Sequence, residues 1–178
     1  MSTTTFGYDT VQDRIWMRSN ASGRTVWLTR RMVAHLLGPV LQSFEAAAPG
    51  AEGGAPPATR AALEHELALH EPVPGGGAAV IRTNREPSRR PSADLHGEDL
   101  CTRIMTTTTS REVTLQISTT GAPLTLRLSR RGMHLWLQGL VMVLRRADWN
   151  LPQPLPGWLQ TGVLPPAVRA ILPPQPPV

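Results

Sequence analysis

Few residues in this chain have the means for catalysis or ligand binding, and their spacing limits what each can do. His65-Glu66-Leu67-Ala68-Leu69-His70 has the composition of a zinc-protease helix, but its histidines stand five apart. Two histidines share a helix face when they stand four apart. With Glu64, Glu66 and Glu71 the segment reads instead as a solvated acidic helix edge. His96, Glu98, Asp99 and Cys101 carry ligating atoms without the spacing of a closed tetrahedral site, and Cys101 has no second thiol. No metal and no cofactor is expected. Gly75-Gly76-Gly77 lacks the Lys and hydroxyl residue of a phosphate loop. Ser22 falls in a hairpin turn with no neighbouring base, so no catalytic residue is assigned and a non-enzymatic role is expected. Arg89-Arg90-Pro91-Ser92 could present a serine for phosphorylation, a short motif that arises often by chance.

Two arginine pairs remain. Arg30-Arg31 follows Leu28-Thr29, and Arg130-Arg131 follows Leu128-Ser129, each at the start of an apolar helical pattern. Cations in a first helical turn oppose the macrodipole, at a cost on the order of a few tenths of a kcal/mol when exposed. An anion would offset that cost, giving two phosphate- or carboxylate-sized sites at Arg30, Arg31, Arg130 and Arg131. The simpler arrangement lays the arginine stems over apolar surface with their heads in water.

The shared tetrapeptides point to two copies of one unit. In the first, Ile15 and Met17 alternate with Arg14, Trp16 and Arg18, Asn20-Ala21-Ser22-Gly23 turns, and Val26 and Leu28 return around Trp27. Thr29 caps a helix with the stripe Val33, Leu36, Leu37, Val40, Leu41 and Phe44, and Pro39 should bend it. A Gly/Ala/Pro linker leads to a connector helix over Thr59–Glu71 carrying Leu63, Leu67 and Leu69. Pro72 to Gly77 breaks it, and Arg82 to Ser92 reads as a mobile basic loop. The second copy adds a strand over Leu100–Thr107. Val113, Leu115 and Ile117 then pair with Leu124, Leu126 and Leu128, and Ser129 caps a helix from Arg130 to about Ala147. Prolines from Pro152 to Pro177 favour an extended tail, with a turn around Ala167–Ile171.

The fold expected is α+β: an antiparallel sheet from two hairpin-plus-helix repeats, helices on one face, a mobile middle and a proline-rich tail. The domain spans 1–151, with repeat 1 at about 9–48, linker and connector helix at 49–98 and repeat 2 at about 99–150, followed by the tail at 152–178.

The copies differ where partners would act. Register places Trp16 and Trp27 together on the strand face opposite Ile15 and Leu28, between Arg14 and Arg18, while the second copy has Thr114, Gln116, Thr125 and Arg127 there. Such a face, with Trp158 of the tail, suits a larger protein partner. Alternatively the indoles stack nucleic-acid bases, with Arg82, Arg85, Arg89 and Arg90 adding phosphate contacts. Burial of both indoles within the chain would remove either surface. The second helix is apolar nearly all round, so Leu135, Trp136, Met142 and Val143 are expected in a homodimer interface unless the protomer buries them.

With 178 residues, net charge +5, all cationic side chains Arg, and a lone Cys101, the chain is expected to be a cytoplasmic adaptor or assembly factor. Its apolar run from Met133 to Leu144 falls short of the ~20 residues a membrane span needs.

Overall fold

Strand alternation on one side and helical stripes on the other commit these residues to a single sheet packed on helices. The computed structural model describes residues 4–70 and 99–161. In chain order these form β1 (Thr4–Asp9), β2 (Arg14–Ser19), β3 (Thr25–Leu28), α1 (Arg30–Ala46), α2 (Pro57–His70), β4 (Asp99–Thr108), β5 (Glu112–Thr119), β6 (Leu124–Ser129), α3 (Arg130–Ala147) and α4 (Gly157–Thr161). The six strands make one sheet in sequence order.

The sheet is mixed, which corrects the antiparallel expectation. β3 and β4 run parallel, Val26 beside Asp99 and Trp27 beside Leu100. Antiparallel neighbours can be joined by a tight turn, whereas a parallel neighbour needs a long crossover. Residues 29–98, with α1 and α2 among them, supply that crossover. A further correction is β1, which precedes the expected first hairpin and pairs antiparallel with β2 from Thr4↔Ser19 to Asp9↔Arg14. Its alternation escaped notice because Gly7 and three threonines dilute the apolar pattern around Phe6 and Tyr8.

Within β2 and β3 the register is Ile15↔Leu28, Trp16↔Trp27 and Met17↔Val26, as alternation requires. Ile15, Met17, Val26 and Leu28 join Val113, Leu115, Ile117, Leu124, Leu126 and Leu128 in the core, against the inward residues of α1, α2 and α3. Both long helices start where a hydroxyl can accept from an otherwise unpaired amide: Thr29 Oγ1 from Met32 N at 3.2 Å, Ser129 Oγ from Gly132 N at 3.0 Å. α1 runs unbroken through Pro39, burying the expected six residues from Val33 to Phe44.

α2 begins at Pro57, whose missing N–H costs nothing in a first turn. Its inward face is Ala61, Ala62, His65 and Ala68, and of the leucines it carries Leu63 and Leu67 point outward. Small alanines let the helix approach its neighbours closely, and polar partners for His65 fix its rotation. Beyond α3 the chain also packs: Leu151 and Leu155 lie against the core, and α4 buries Trp158 and Leu159, where an extended tail was expected. The basic loop with Arg82, Arg85, Arg89 and Arg90, the triple glycine at 75–77, His96, Glu98, Ser92 and the turn at 167–171 lie outside the described residues.

Candidate functional site

Of the arginines that open α1 and α3, Arg130 finds an anion inside the molecule, and Arg30 and Arg131 reach backbone carbonyls. Arg130, buried, donates from Nε and Nη2 to Glu64 Oε1 and Oε2, both at 2.6 Å, and from Nη2 to the Phe44 carbonyl at 3.2 Å. Its guanidinium carbon lies 4.2 Å from the centre of the Phe44 ring. Arg131 Nε donates to the Ala68 carbonyl at 3.4 Å. Arg30, at the exposed start of α1, donates to the Asn150 carbonyl just past the end of α3 at 2.8 Å, while Arg31 is exposed. Arg30 and Arg130 thus sit near the carbonyl end of the other long helix, and Arg131 near that of α2, where a cation is favoured. A bidentate carboxylate completes one of these arrangements. A third tie comes from Arg24 in the β2–β3 turn, which bonds Asp99 Oδ2 at 2.5 Å and the Pro123 carbonyl at 2.8 Å.

Behind Arg130 lies a cluster that spacing along the chain did not reveal. His134 Nε2 stands 3.3 Å from Glu64 Oε2, and His134 Nδ1 is 3.2 Å from His65 Nδ1. Both imidazoles are fully buried, under Trp158 at ring separations of 5.2 Å from His65 and 5.9 Å from His134. Phe44 closes another side of His134 at 4.6 Å. His134 thus faces the carboxylate through Nε2 and His65 through Nδ1, and neither ring's Nε2 reaches full hydrogen-bond geometry. Burial, then the neighbouring His134, pushes His65 down to about 4, with Gln138 only partly opposing. Burial also lowers His134 against the pull of Glu64. Burial opposes the Glu64 carboxylate, but His134 beside it and the Arg130 guanidinium outweigh that and hold Glu64 at about 2. The resulting order, guanidinium, carboxylate, imidazole, imidazole, is a polarised chain enclosed by apolar rings. The signals available in sequence were positional: His65 sits on the Ala61/Ala62/Ala68 face, and His134 beside Met133 and Leu137 on the buried stripe of α3.

The expected partner-binding residues occupy different settings. Trp16 and Trp27 pair on the strand face away from Ile15 and Leu28 and belong to no part of the core cluster, yet are only 8 % and 7 % exposed. Trp16 lies across Gly7, where any Cβ would collide with the indole. Indoles so buried offer neither a protein partner nor a base a free ring face in this conformation. Arg14 is half-buried and Arg18 exposed. Trp158 is a core residue, its Nε1 donating to Glu45 Oε1 at 2.9 Å. On α3, Trp136 is buried edge-on against Phe6 of β1 at 5.4 Å, and Leu135, Met142 and Val143 are half-buried. The all-round apolar character of α3 is met largely within the protomer.

Other tested residues are structural. Cys101 is a buried strand residue whose thiol burial raises to about 11. Among the described residues no group of three His, Cys, Asp or Glu could hold a metal ion, and no helix is long and apolar enough to cross a membrane. Comparison with protein-family models, curated proteins and solved structures finds no match to this chain.

Proposed function

We propose that this protein is a non-enzymatic adaptor or assembly factor that engages a larger protein through the outward face of α2. The observation that carries this reading is a pair of leucines one turn apart, Leu63 and Leu67, 40 % and 60 % exposed on a helix whose other face is locked. Glu64, between them in sequence, is clamped by Arg130, and His65 is packed against His134. A helix fixed this firmly loses little freedom when a partner covers it, and apolar positions i and i+4 are the anchors a partner groove reads.

Finer features fit the same proposal. Two successive runs of three strands and a helix, each helix hydroxyl-capped and opened by arginine, support two copies of one unit with both helices against one sheet face. Pairing of two chains is compatible with half-buried Leu135, Met142 and Val143, and a buried unpaired thiol suits the cytoplasm.

The test is co-purification from the native host, wild type beside a Leu63→Glu/Leu67→Glu variant, with light scattering to give the mass of each. The variant should keep the wild-type circular dichroism spectrum and lose a specific protein partner. Retention of every partner by the folded variant would refute the α2 surface.

A further inference from the structure

We propose that α4 is an acid-released latch: near neutral pH Trp158 seals the His65/His134 pair, and proton uptake by those imidazoles favours the state in which α4 has lifted from them. The geometry is that of a short plug on a titratable seat. α4 spans five residues and, among its described side chains, places Trp158 and Leu159 into the core. The Trp158 ring meets both imidazoles, and its indole N–H is held by Glu45 of α1. Every element around the seat contributes polar or charged groups: Glu45 from α1, Glu64 from α2, Arg130 and Gln138 from α3. Glu64 is already committed to Arg130 through two 2.6 Å bonds, so it cannot fully compensate a charge on His65. Protonating His134 in place puts a cation beside Arg130, and protonating His65 puts one beside His134, in both cases on a ring buried from solvent.

With α4 lifted, the rings meet solvent and regain the ordinary histidine affinity for protons. Closed, His65 resists protonation down to about 4. Protons therefore bind the open state preferentially as pH falls from about 6.5 toward 4, and the open population rises in that window. Between pH 7.5 and 5.5 the gain from His65 alone is about tenfold, and the lowered His134 adds to it. Because α4 packs on α2 and α3 and pairs with no strand, release need not disturb the sheet, and opening of this kind belongs to the low-stability end of a fold.

The experiment is amide hydrogen exchange on the full chain at pH 7.5 and 5.5, corrected for intrinsic exchange. The readout is the Leu159 and Gln160 amides, both bonded to the Pro156 carbonyl, against β5 amides as the measure of global opening. The expected result is at least a tenfold loss of protection at Leu159 and Gln160, with β5 staying more protected at both pH values. His65→Gln, neutral at every pH, should flatten most of that dependence. Ring-proton NMR of the wild type, which needs no variant to fold, should show His65 staying neutral below pH 5, and His134 titrating below the ordinary histidine range, while α4 is closed. Equal protection of α4 and β5 at both pH values would overturn the latch. So would pH-independent exchange in α4, or titration of both rings near 6.5 with α4 still protected.

Discussion

At the residue scale, the chemistry of this protein is spent on holding itself together. Arg130 pairs a buried guanidinium with Glu64, and removing one partner of such a pair leaves an uncompensated charge. Glu64→Ala should destabilise the fold by about 3–5 kcal/mol. Glu64→Leu combined with Arg130→Met should recover most of that loss; urea midpoints of the single and double variants check the coupling. Gly7 makes a different demand. Its backbone is the floor on which the Trp16 indole lies, so a methyl group there must push the ring aside. Gly7→Ala is expected to cost about 1–3 kcal/mol. A red-shifted tryptophan emission should accompany it, and unchanged emission and midpoint would show that the indole has room to move.

The element scale explains why both long helices begin with cations. An isolated helix disfavours arginine in its first turn, but α1 and α3 are placed so that Arg30 reaches the carbonyl end of α3 and Arg130 that of α1. One charge then opposes its own helix and favours its neighbour. The exposed Arg30 contact is worth little, and Arg30→Ala should cost under about 1 kcal/mol by denaturant titration, less than Arg130→Ala. The N-caps are separable: Thr29→Ala is expected to lower stability by about 1 kcal/mol through the lost acceptor for Met32 N. A loss at Arg30 as large as at Arg130 would contradict the assigned difference in burial.

For the whole molecule, the buried histidines set the response to acid. His65 binds protons less readily folded than unfolded, so its contribution is complete above about 6.5 and drains away as pH falls toward 4. From His65 alone the loss is about 3 kcal/mol across that interval, and His134 adds in the same direction. Glu64, held at about 2, contributes stability above the ordinary glutamate range that is lost only as pH drops further, through 4.5 toward 2. Unfolding free energies measured by urea at pH 7, 5.5 and 4 should fall stepwise, and His65→Gln should flatten the upper part of the curve. A flat wild-type profile between pH 7 and 4 would show that these rings are not desolvated in solution.

What the amino-acid order determined by itself was local. Alternation set which side of β2 and β3 faces the core and brought Trp16 opposite Trp27; helical stripes and hydroxyl caps set the start and inward face of α1 and α3. These follow from periodicities of two and 3.6 residues, which the chain cannot hide. Tertiary structure decided the rest. The parallel β3–β4 pair depends on where a long crossover returns, and the rotation of α2 depends on Arg130 and His134, which lie 66 and 69 positions from their partners Glu64 and His65. The same holds for Trp158, whose place among prolines in the sequence suggested an exposed tail until Glu45 and the two imidazoles supplied a seat for it. Polar residues carry no periodic signature of burial; whether they meet water or one another is settled only when distant segments pack.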